Sequence, residues 1–160
     1  MATPSPRLIG ALRDAANRIA GGSPYEWGHM GRCNCGHLAQ SLTPLTADEI
    51  HALALRRSGD WSEQSTLYCS TSGLELDALI DLLLEAGLAP SDLRTLENLS
   101  DPRVLRRLPP GERDLLRNQR SHAVTYMRAW ADLLEEQRVQ AGEQPSAQPA
   151  GVRRPDAVVR

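Results

Sequence analysis

Apolar residues recur along this chain at intervals of three and four, and no stretch alternates apolar with polar in the period of a strand. Leu8, Leu12, Ala15 and Ile19 make the first such stripe, closed by Gly21-Gly22. Leu76, Leu79, Ile80, Leu83 and Leu84 make the strongest, stopped by Gly87. Thr46-Ala-Asp-Glu49 reads as a capping box that opens a helix carrying Ile50, Leu53 and Ala54, and Ser72-Gly-Leu-Glu75 reads as another. Ser91 is placed to cap a short helix with Leu93, Leu96 and Leu99, and Asp101-Pro102 to start the next. After Pro109-Pro110-Gly111, Leu116, Ala123, Met127, Trp130 and Leu134 line one side of a long helix predicted over about residues 112–140. The expectation is an all-α domain over residues 1–140, a small bundle of five to six helices with irregular loops at 23–45 and 60–73. Residues 141–160, rich in Gly, Pro, Gln, Ala and Arg without period, read as a disordered tail.

Composition narrows the function classes. With 160 residues the chain suits one domain. Its 18 basic residues, all arginine, stand against 20 acidic ones, and the net charge of −2 exerts no bulk pull toward nucleic acid or anionic lipid. The absence of lysine excludes Schiff-base chemistry and a P-loop lysine. No run of about 18 apolar residues suggests a membrane span, and the N-terminus has no secretory pattern, so a cytoplasmic location is expected. The lack of both Lys and Phe, whose codons are AT-rich, points to a GC-rich bacterial genome.

The chemistry-bearing residues collect in the two loops. All three cysteines lie there, in Tyr25-Glu-Trp-Gly-His29-Met-Gly-Arg-Cys33-Asn-Cys35-Gly-His37 and in Trp61-Ser-Glu-Gln-Ser-Thr-Leu-Tyr68-Cys69. An odd number of cysteines cannot complete a disulfide framework, and in a cytosolic chain metal binding or catalysis is the stronger expectation. Cys33, Cys35 and Cys69 supply three thiolates; His37 is the preferred fourth ligand and His29 its alternate. Such a Cys3His set suits tetrahedral zinc or an iron–sulfur cluster and would clip the two loops together, with a structural, redox or regulatory role.

Two other readings compete. Pro24-Tyr25-Glu26-Trp27-Gly28, followed by Cys35-Gly36-His37-Leu38-Ala39-Gln40, resembles the entry to the nucleophile helix of NlpC/P60-type cysteine peptidases over 17 residues. The resemblance implies that Cys35 is a nucleophile, its thiolate favoured by a helix N-terminus, with His122 as the base. Arg103, Arg106, Arg107, Arg113, Arg117 and Arg120 form a local basic cluster that suits phosphate, so an arginine-rich nucleic-acid-binding regulator is a minor alternative. The long C-terminal helix would serve equally as an intramolecular core element, a homodimer seam or the contact for another protein partner.

Overall fold

The computed structural model describes residues 1–142. The expected disordered tail lies outside the described residues but for its first two positions. Among the described residues all regular structure is helical, and the chain runs α1 (Pro6–Ala20), α2 (Asn34–Leu42), α3 (Ala47–Ala54), α4 (Trp61–Thr66), α5 (Glu75–Glu85), α6 (Pro90–Asn98), α7 (Pro102–Leu105) and α8 (Arg120–Gln140), with a 3₁₀ turn at Pro110–Glu112. No helix is long and apolar enough to cross a membrane among them.

Helix α1 is the hub. Pro6 occupies its first turn, and the Ser5 hydroxyl accepts from Leu8 N–H at 3.1 Å while donating to the Ala86 carbonyl at 2.7 Å. Leu8, Leu12, Ala15, Ala16 and Ile19 are wholly buried, packed lengthwise against α8 on one side and α2 on the other. Helix α8 answers with Ala123, Met127, Trp130, Ala131 and Leu134, and α5 fills the floor with Leu76, Leu79, Ile80 and Leu83. Burying one such side chain is worth about 1.5–3 kcal/mol, so this shared core outweighs any individual polar contact.

Four features depart from the sequence reading. Among the described residues there are eight helices rather than five or six, because the stretches 23–45 and 60–73 contain α2 and α4, the latter opened by a capping box between Asp60 and Glu63. Helix α2 begins at Asn34, so the cysteine pair stands on its first turn rather than in the loop before it. Helix α5 starts at Glu75, where Ser72 receives Leu74 N–H and donates to Asp77 instead of closing a box. The long helix starts at Arg120; after Pro109-Pro110, residues 113–119 run irregularly, and the Leu116 N–H is taken by the ring of His122 at 2.8 Å. The apolar stripe extrapolated too far back because Leu116 belongs to this segment and is exposed.

Candidate functional site

The glycine-broken loop before α2 is organised around one turn, Met30-Gly31. The Met30 N–H donates to His51 Nδ1 at 3.1 Å and the Gly31 N–H to His29 Nδ1 at 3.2 Å. The Met30 carbonyl accepts from Trp61 Nε1 at 2.8 Å, and the Gly31 carbonyl from Gln40 Nε2 at 2.7 Å. Each backbone polar group of the turn is thus satisfied by a side chain drawn from the loop itself, α2, α3 or α4. Both glycines are forced. A Cβ on Gly31 would overlap the Ala47 carbonyl, and one on Gly36 would overlap the Met30 carbonyl and the Gly31 backbone.

This arrangement decides what the histidines do. The rings of His29 and His51 stack 3.9 Å apart, 18° from parallel. Because each Nδ1 receives a backbone N–H, the neutral rings carry their proton on Nε2; His29 Nε2 faces Asp48 Oδ1 at 3.5 Å. Neither nitrogen of His29 then offers a lone pair to a metal. Desolvation, then His51 and Arg32, lower the His29 pKa. His37 is buried, with Nε2 on the Pro24 carbonyl at 3.0 Å and Nδ1 out of water without a partner; its pKa is also lowered, chiefly by burial.

The cysteines divide. Cys33 caps α2, Asn34 and Cys35 form its first turn, and both sulfurs are completely buried. Cys35 donates to the Leu93 carbonyl at 3.2 Å, and Cys33 lies 3.6 Å from the Met30 carbonyl. Cys69 is at the surface between α4 and α5, beside the Thr71 hydroxyl at 3.4 Å, where hydrogen bonds from Thr71 lower its pKa. Among the described residues, no group of three or more His, Cys, Asp or Glu side chains is placed to hold a metal ion. Cys33 and Cys35 come together; Cys69, His29 and His37 do not join them in a ligand set.

What does join them is Glu97 of α6, a residue that carried no signal in the sequence. The residue is 1% exposed, and among the described residues its Oε2 has no hydrogen-bond partner. Burial raises its pKa to about 7, while the nearby thiols of Cys35 and Cys33 and the Cys35 N–H pull the other way. Burial, then the Glu97 carboxylate, push both thiols well above their ordinary range. The helix N-terminus was expected to favour a thiolate; desolvation outweighs it here.

Asn34 locks α2 onto α6 beside this cluster. Its Nδ2 donates to the Leu96 and Glu97 carbonyls at 3.3 and 3.1 Å, in the last turn of α6, where orphan carbonyls need donors. That helix ends on Leu99 with φ of +51°, a left-handed residue although it is not glycine. The Tyr25 hydroxyl lies between Asn34 Oδ1, at 2.5 Å, and the Arg117 carbonyl, at 2.6 Å.

The other sequence candidates have local employment. His122 accepts from Leu116 N–H, whereas Cys35 is hydrogen-bonded to the Leu93 carbonyl. In the arginine cluster, Arg103 pairs with Asp101, Arg107 with Glu136, Arg113 binds the Leu108 carbonyl, and Arg120 binds the Ile19 and Ser23 carbonyls. Arg117 lies over the Trp27 ring, 4.0 Å from its centroid, and donates to Asn98. Most of these guanidiniums are engaged in holding the fold.

No family model, no curated protein and no solved structure matches the chain.

Proposed function

We propose that the protein is a thiol-based redox-responsive protein, with Cys33 and Cys35 as the reacting pair and Glu97 as proton acceptor. The observation that supports this most is Glu97. A buried carboxyl with an unpartnered oxygen costs stability, and the apolar contacts of α6 do not require it. Beside two thiols of high pKa, a carboxyl titrating near 7 is suited to take a proton at neutral pH.

The reaction is thiol–disulfide exchange with a low-molecular-weight disulfide RSSR. Cys35 passes its proton to Glu97, and the thiolate attacks one sulfur of RSSR; the S–S bond breaks and RS⁻ leaves. Cys33, deprotonated in turn, attacks the mixed disulfide, closing the Cys33–Cys35 bond and releasing a second RS⁻. Two electrons pass from the protein sulfurs to RSSR, and the two protons end on two molecules of RSH. The Cys-x-Cys spacing permits closure, since Cα atoms two residues apart lie within about 7 Å even in extended chain and disulfides span about 4.4–6.8 Å.

The test is made on protein purified in reductant without added metal. The metal content is measured, the protein is titrated with hydroxyethyl disulfide, and thiols are trapped by alkylation for peptide mapping. The expected result is little bound metal and a Cys33–Cys35 disulfide that Cys35→Ser abolishes. Oxidation confined to Cys69 would overturn the proposal. So would stoichiometric zinc or iron on the unoxidised protein, which would return Cys33 and Cys35 to the role of metal ligands.

A further inference from the structure

A cleft of about 430 Å³ is lined by Trp27, Asn98, Leu115, Leu116, Arg117 and Asn118. Its connection to the cysteines is short. Asn98 follows Glu97 in the chain, and the Arg117 carbonyl is held by the Tyr25 hydroxyl that also faces Asn34, the residue between Cys33 and Cys35. Segment 113–119 is thus tied through Tyr25 to the first turn of α2, which carries the thiol pair. Tyr25 has one proton for two acceptor oxygens, so it serves either Arg117 or Asn34 at a given moment.

The lining has a definite polarity. Arg117 is the one charged residue among the lining residues, held over the Trp27 ring with one nitrogen on Asn98. The indole N–H of Trp27 is out of water and has no acceptor. Asn98 and Asn118 add amides, and Leu115 and Leu116 give an apolar wall. A guanidinium, with no carboxylate among the lining residues, calls for an anionic ligand.

We infer that this cleft binds the disulfide substrate and selects an acidic one: a small thiol or its disulfide bearing carboxylates, bound by Arg117 and Trp27 against Leu115 and Leu116. The inference rests on the redox reading for its chemistry, and binding and reaction are separable by experiment. Oxidation of the Cys33–Cys35 pair in the full-length chain is followed at low ionic strength with three probes: glutathione disulfide (anionic), hydroxyethyl disulfide (neutral) and cystamine (cationic). Binding of unreactive S-methylglutathione is followed in parallel by tryptophan fluorescence.

The expected result is that the anionic disulfide reacts roughly tenfold faster than the cationic one, a preference erased by salt. In Arg117→Gln the anionic, neutral and cationic probes are expected to react at the same rate as one another, and Arg117→Lys restores part of the preference. Equal rates for the three probes, or a preference unmoved in Arg117→Gln, would overturn the cleft assignment while leaving the redox reading intact. If no probe oxidises the pair yet S-methylglutathione binds and Arg117→Gln abolishes that binding, the redox reading falls and the cleft stands as an anion site. If neither reaction nor binding occurs, both fall.

Discussion

The indole N–H of Trp61 donates to the carbonyl oxygen of Met30 at 2.8 Å, across 31 positions of sequence and in the absence of water. That bond ties α4 to the loop ahead of α2. It also fixes the carbonyl beside which the Cys33 thiol lies.

Replacing Trp61 with Phe keeps most of the buried ring and removes the donor. The Met30 carbonyl is then left with only a long contact to a thiol, a weak donor. The expected loss is about 1–3 kcal/mol of unfolding free energy, the cost of a buried acceptor left unmet. Urea denaturation should show a lower midpoint at unchanged slope.

Three glycines give opposite outcomes under the same substitution. Gly31→Ala and Gly36→Ala place a Cβ into backbone that cannot yield, so the folded loop is expected to be lost, with circular dichroism showing no cooperative transition. Gly10 lies within α1 with open space around its missing Cβ. Gly10→Ala is expected to stabilise the protein by about 1 kcal/mol through helix propensity.

The helices were legible where one face is apolar and the other polar, as in Leu8 to Ile19 and Leu76 to Leu83. The first turn of α2 was not, because Cys33, Asn34 and Cys35 are all buried against polar partners and present no stripe. The Trp, His and Gly residues near the cysteines were read as the surroundings of a site that clips the two loops together. A metal was the expectation. The structure instead shows the Met30-Gly31 turn satisfied by His29, His51, Trp61 and Gln40, residues separated in sequence and assembled only by tertiary packing. Glu97 was illegible for a related reason: a single Glu between Leu96 and Leu99 forms no pattern in the sequence, and only the packing of α6 against α2 brings it to the cysteines.

The imidazoles make the loop sensitive to acid. His29 and His37 both have pKa values lowered below the ordinary 6.5, so the unfolded chain binds more protons than the folded one between the two values. Their stabilisation is complete above about pH 6.5 and is lost as pH falls through the folded-state values. For His29, protonation also removes the lone pair that accepts from Gly31. The unfolding free energy of wild type minus that of His29→Gln should therefore be largest above pH 6.5 and shrink on acidification. A difference that stays flat with pH would show that the His29 lone pair is not what Gly31 depends on.

Glu97 works in the opposite sense. Its carboxyl is raised from 4.5 to about 7 in the folded protein, so the folded state holds a proton that the unfolded chain has already released. Stability is unaffected by this group below pH 4.5, declines as pH rises from 4.5 to about 7, and levels off above that. Glu97→Gln, which keeps the shape and cannot ionise, should be more stable than wild type at pH 8 by on the order of 3 kcal/mol, and the difference should vanish at pH 4. The same substitution takes away the proton acceptor, so at pH 7.5 the Cys33–Cys35 pair should oxidise more slowly in the more stable protein. Greater stability with unchanged oxidation rate would leave Glu97 a buried charge without a part in the chemistry. Slower oxidation at higher stability ties the cost of burying the carboxyl to proton transfer, provided that Gly10→Ala, a stabilising change in α1, does not slow oxidation in the same way.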